Sequence, residues 1–143
     1  MYSDKNLVYF FTILEAIEKI NIYTKNFEDD ETFYKCDNQL YFNAVVNLLI
    51  AIGEENKKID ESIKNDYTFT WNEISKMRDK ISHNYRGISP YTVWDIIQNS
   101  IPKYKELLVE IVPNIEDFGI ALDDALESEF YNNLVYLKCI DKN

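Results

Sequence analysis

The sequence is poor in helix breakers. Three glycines and three prolines in 143 residues suit a helical chain. Two cysteines, Cys36 and Cys139, offer neither metal-site spacing nor a disulfide framework. A reduced, cytoplasmic protein is the expectation that follows. No stretch reaches 18 consecutive apolar residues; the most apolar run, Ala44 to Ile52, is interrupted by Asn47. That argues against a membrane span. Met1-Tyr2-Ser3-Asp4 lacks the basic start of a signal peptide. Basic charge is also scarce. The net charge is −10, the reverse of the footprint expected of a nucleic-acid binder. The length fits one domain and allows a substantial core, since chains of this size bury about 68–70% of their unfolded surface.

What little histidine and arginine the chain has lies in one place. His83, its single histidine, and Arg78 and Arg86, its two arginines, fall within Arg78-Asp79-Lys80-Ile81-Ser82-His83-Asn84-Tyr85-Arg86. Histidine is the side chain suited to proton transfer near neutral pH. Arginine is shaped to hold a phosphate through paired hydrogen bonds. Lys76 and Lys80 add to a local positive field, offset by Glu73 and Asp79, inside an acidic whole.

Thr70-Trp71-Asn72-Glu73 reads as a capping box, and Ile74, Met77 and Ile81 form an apolar seam. With Gly87 as terminator, a helix over 71–86 is predicted. On it Asp79 shares a face with His83, four residues on, and can orient the imidazole. Arg78 lies about 140° around the axis from His83 at roughly 100° per residue. A regular helix cannot aim both at one phosphate, so either the helix distorts or two copies meet across a two-fold axis. Tyr85, seven residues after Arg78, returns to Arg78's side.

The rest of the chain reads as further helices. Leu7, Phe10, Phe11, Leu14, Ile17 and Ile20 stripe a first helix over 4–25, with Ser3 or Asp4 as cap. Residues 26–36, including Glu28-Asp29-Asp30-Glu31, read as a solvated acidic loop rather than a metal site. Asp37 or Asn38 caps a second helix to Lys58. It is apolar around nearly its whole circumference and therefore predicted to be central, partly against a second subunit. Gly53 permits a close backbone approach there. Glu54 is either an exposed acid or, if buried near the motif, a partner of Arg78. Residues 59–69 connect to the motif helix. Ser89-Pro90 starts the next helix, and Pro102 requires a kink or restart near Asn99-Ser100. From Pro113 onward seven acids face two lysines, a net of −5 and half of the total charge. This tail is predicted to form one more amphipathic helix. The fold class is an all-α, up-and-down bundle: a helical domain over 1–112, with an acidic helical extension over 113–143 packed on it.

Arg78-x4-His83-x-Tyr85 resembles the Arg-x4-His-x-Tyr motif of HEPN-domain ribonuclease toxins of the HepT-like type, which are paired with a minimal, MNT-type nucleotidyltransferase antitoxin. The likeness runs over about residues 5–112. It includes Ile52-Gly53-Glu54 in the central helix, Trp71 to Asp79 leading into the motif, and Val93-Trp94-Asp95-Ile96 after it. The resemblance implies a homodimer cutting RNA without metal or other cofactor, with Arg78 and His83 catalytic and Asp79, Glu54 and Tyr85 supporting. It also implies that the antitoxin adenylylates Tyr85. The extra tail and Asn84 depart from the family pattern without breaking the motif. The competing reading is a non-catalytic helical scaffold for a nucleotidyltransferase, with the motif docking an anion. The acidic charge speaks for that alternative.

Overall fold

The computed structural model describes residues 1–140; the side chain of Tyr85 and residues 141–143 of the acidic extension lie outside the described set. The described elements are helical, and beyond them there is a single isolated bridge between Tyr2 and Ile115. In order they are α1 (Asn6–Thr24), α2 (Asp30–Lys35), α3 (Leu40–Lys58), α4 (Glu61–Asp66), α5 (Trp71–His83), α6 (Pro90–Asp95), α7 (Ile101–Ile111) and α8 (Phe118–Leu126). A π-helical turn, Ile96–Ser100, joins α6 to α7. Among these helices none is long and apolar enough to cross a membrane.

The core sits where α3 packs between α1 and α5, with α7 against α1. Phe10, Ile13, Leu14, Ile17 and Ile20 of α1 are buried against Val45, Val46, Leu49 and Ile52 of α3 and Ile101, Tyr104 and Leu108 of α7. The apolar circumference expected of α3 is not all buried. Phe42, Val45, Val46, Leu49 and Ile52 make one buried face; Ala44, Leu48, Ile50 and Ala51 are half-buried, and Leu40 and Asn47 are exposed.

Several local expectations are corrected. The acidic segment before α3 is not simply a solvated loop. It contains α2, because Phe33 at its centre is fully buried among Phe27, Phe42 and Trp94, with ring centroids 5.3–5.8 Å apart. Asp29 caps α2 by accepting from the Thr32 amide at 2.8 Å. Neither Asp37 nor Asn38 caps α3. Both take left-handed backbone angles, as does Gln39, in the reversal that precedes the helix. Asp and Asn tolerate that region better than most residues. Ser3 and Asp4 meet α1 through their carbonyls rather than as side-chain caps. Residues 59–69 contain α4, pinned by fully buried Ile63.

The proline behaves as its chemistry requires. Pro102 supplies no amide hydrogen, and the chain accommodates it by widening into the π turn immediately before α7. The tail forms α8 and then a 3-10 run over Glu129–Cys139, kinked at Tyr131, instead of one ragged helix. Ser128 breaks it by capping the amide of Phe130. The run packs on α1, where buried Glu15 accepts from the Asn133 amide at 2.9 Å and from its side chain at 2.7 Å.

Candidate active site

The motif is carried by α5, which α3 holds along its length. Trp71, Ile74, Met77 and Ile81 face inward, as the seam predicts. The capping box does not form: Thr70 makes no side-chain cap bond, and only its carbonyl meets the Glu73 amide, at 3.0 Å. The helix takes its position from a buried polar hub instead. Asn56 of α3 donates to the Trp71 carbonyl at 3.0 Å and to Ser75 Oγ at 2.9 Å, and accepts from the Tyr104 hydroxyl at 2.7 Å. Asn56 and Tyr104 are fully buried, so these bonds are made away from competing water. One side chain thereby joins three helices and sets the register of α5 on α3.

Arg78 faces α3 at a close approach of the two helices. A Cβ placed on Gly53 would lie 2.1 Å from Arg78 Cβ, a separation real atoms do not adopt. Glycine at 53 is therefore what lets the stem of Arg78 lie against α3. The guanidinium forms an ion pair with Glu54 and a second, at 3.2 Å, with Asp79. Its Nε is buried and has no hydrogen-bond partner among the described residues. Two carboxylates thus hold the planar head.

Asp79, expected to support His83, is bonded to other partners. Its Oδ1 accepts from Lys57 at 2.8 Å and from Arg78 at 3.2 Å. The Lys57 hydrogen bond is the main cause that holds the Asp79 carboxyl below the usual carboxylate range; desolvation opposes it, and the Arg78 hydrogen bond adds to the lowering. His83 stands exposed at the last residue of α5, and no hydrogen bond or ion pair engages it among the described residues. The helix ends there, short of the predicted residue 86. Asn84 leaves helical geometry, and both its amide and its side chain bond the Lys80 carbonyl, at 3.1 and 3.2 Å. Tyr85–Gly87 then form a 3-10 turn. The projection of Tyr85 onto Arg78's side requires a helix continuous to residue 85, whereas α5 ends at His83; the Tyr85 side chain itself lies outside the described residues.

The chain thus brings Arg78, Glu54 and Asp79 together and leaves His83 without a contact to them. Lys57 and Asn56 were not singled out from the sequence. Their one signal is position, since they follow Glu54 within a turn on the helix that packs against the motif. Among the described residues no group of three or more His, Cys, Asp or Glu side chains is placed to hold a metal ion.

Comparison with known proteins agrees with this arrangement in its broad class. The chain is 36% identical over 109 residues to a Methanocaldococcus jannaschii protein named "Putative RNase MJ1216", covering 76% of this chain and 88% of that one. It is 36% identical over 100 residues to "Probable ribonuclease HepT" of Thermococcus cleftensis, covering 68% and 86%. A second M. jannaschii protein, "Putative RNase MJ0125", is 31% identical over 110 residues, covering 76% and 92%. No solved structure matches. The model of the ribonuclease HepT-like family matches residues 13–111, from the middle of α1 to the end of α7, and the chain belongs to that family.

Proposed function

We propose that this protein is the toxin of a HEPN/MNT toxin–antitoxin pair, an endoribonuclease that cuts RNA without a metal ion. The observation that carries the reading is the contrast between a fixed arginine and a free histidine on one helix. Arg78 is clamped by Glu54 and Asp79. His83 stands uncommitted at the end of α5. In the proposed reaction His83 takes the proton from the ribose 2′-hydroxyl. That oxygen attacks the adjacent phosphorus, and the bond from phosphorus to the 5′-oxygen breaks. The leaving oxygen receives a proton from an acid: water, or a second His83. Arg78 stabilises the charge gathering on the phosphoryl oxygens. Asp79 and Glu54 orient Arg78.

Because Arg78 and His83 project from α5 in different directions, a complete site requires two motifs, and the active species is a homodimer. Residues 113–143 form an acidic addition to this catalytic domain. Tyr85 is the control point: the partner nucleotidyltransferase transfers AMP to its hydroxyl, releasing pyrophosphate from ATP. The added phosphodiester then occupies the arginines and repels RNA. The protein acts in the cytoplasm.

The test is cleavage of a defined RNA and of the same RNA with a single 2′-deoxy residue at the scissile position, each with chelator present. Cutting of the first and resistance of the second is the expected result. Equal cutting of both removes the 2′-hydroxyl mechanism. Co-expression with the adjacent nucleotidyltransferase should add adenylate mass to the wild type and none to Tyr85→Phe. Addition to both excludes Tyr85. Expression of the wild type alone that is harmless to cells would favour the scaffold reading instead.

A further inference from the structure

The flank of α5 opposite Arg78 borders a groove of about 400 Å³, walled on its other side by the π turn and the start of α7. Its floor is apolar, made by Ile74, Met77 and Ile96. Its rim is basic, with Lys76 and Lys80 from α5 and Lys103 from α7. This is unusual in a chain of net charge −10. Lys80 and Lys103 are exposed and have no ion-pair partner among the described residues. Glu73 is the one acid lining the groove, and Lys76 faces it at 3.8 Å.

Spacing joins the groove to the motif. Lys76, Lys80 and His83 follow one another at i, i+4 and i+7, so they share a stripe of α5. At about 1.5 Å per residue, the lysines stand about 6 Å apart along the axis and His83 about 4.5 Å further on. The π turn that makes room for Pro102 also brings Asn99 and Ser100 to the rim. Insertions of this kind are often found at functional sites. Asn99 is itself held by Asp95 at 2.7 Å, which keeps its place on the rim defined.

We propose that this groove is the track for the backbone of single-stranded RNA. Lys80 and Lys103 hold phosphates on the two walls, bases lie over the apolar floor, and the strand is led along α5 to His83. The identity of the ligand rests on the ribonuclease reading above. The charge pattern favours a polyanion with a partly apolar body, and such a strand satisfies both walls and floor. An acidic protein is the competing occupant.

The experiment uses the full chain carrying His83→Ala, which prevents turnover, and a fluorescent 12-nucleotide single-stranded RNA. Its dissociation constant is measured across a salt series. Adding Lys80→Gln with Lys103→Gln should weaken binding about ten-fold and flatten the salt slope by about one to two, as loss of two phosphate contacts requires. The paired Lys→Arg changes should restore both. In the otherwise wild-type enzyme the Gln pair should raise KM for the same RNA. Unaltered affinity and slope in the Gln pair, with an unchanged melting temperature, overturns the proposal. So does equal binding of polyglutamate matched in charge to the RNA, which would mark the groove as a protein site. If the wild type cuts no RNA yet the lysine pair still governs its binding, the groove stands and the catalytic reading falls. If cleavage is robust and the lysine pair has no effect on binding or KM, the groove falls and the catalytic reading stands.

Discussion

The two sides of α5 are built by opposite means. The side facing α3 carries Arg78, whose charge is matched by Glu54 and Asp79 and whose stem lies against Gly53. The other side carries Lys76, Lys80 and His83, all exposed, with no partner for the second and third among the described residues. The first side is a fixed charge held by packing, and any motion of α3 moves it. The second is a set of side chains free to follow a ligand. Electrostatic catalysis needs the fixed kind, because a pre-oriented donor does not reorganise as charge develops. Proton transfer and strand binding tolerate the free kind. One helix supplies both because its sides are insulated by the apolar seam of Ile74, Met77 and Ile81.

The sharpest way to break the contrast is to remove one member from each side. His83→Ala should lower RNA cleavage by about 10²–10⁴ and Arg78→Ala by about 10²–10³, the ranges for a general base and an oxyanion donor. Both losses should appear in single-turnover rates, with circular dichroism unchanged for His83→Ala. If the two motifs complete each other across a dimer, mixing the two inactive variants should restore part of the activity, since a mixed dimer holds one intact pair. Light scattering at micromolar concentration should give twice the 17.0 kDa chain mass.

A smaller effect is expected when the fixed side is displaced rather than deleted. Gly53→Ala drives a methyl group into Arg78 Cβ, so α3 and α5 must separate locally. Overpacking of this kind costs about 1–3 kcal/mol, and misplacing a catalytic donor by an ångström costs on the order of 10²-fold in rate. Binding of the RNA strand should change little, which separates the two sides of α5 experimentally.

Asn56→Ala tests the register that both sides share. It strips partners from the Tyr104 hydroxyl, Ser75 Oγ and the Trp71 carbonyl, all within the α3–α5–α7 junction. A loss of about 2–3 kcal/mol in urea unfolding is expected from unsatisfied buried groups. That corresponds to about 4–12 °C in melting temperature for a chain of this size.

The smallest effect should come from Lys57→Met. The Lys57 hydrogen bond is the main cause holding the Asp79 carboxyl low in the folded state. A depressed folded pKa gives stability that is present above the ordinary carboxylate value, about 3.9, and is lost as pH falls through the folded value. Removing Lys57 should raise the Asp79 titration midpoint seen by carboxyl NMR. It should also lower stability slightly at neutrality and make the acid-side loss shallower, with no difference left once pH falls below the folded midpoint. An unmoved midpoint would show that Arg78 alone holds Asp79.

What the sequence determined by itself is local. The apolar stripe of α1, the seam of α5, the Ser89-Pro90 start of α6 and the restart before Pro102 follow from side-chain periodicity and from proline's missing amide. Each depends on a few neighbouring residues. Concentration of histidine and arginine in nine residues of an acidic chain was equally legible and pointed to α5. Tertiary structure decided the rest. Phe33 could turn an acidic stretch into α2 only because Phe42 and Trp94, distant in sequence, enclose it. Lys57 took Asp79 from His83 because α3 lies beside α5, and no spacing rule within α5 contains that neighbour. Periodicity states which residues share a face of a helix; only packing states what that face meets, and a charged group takes its role from what it meets.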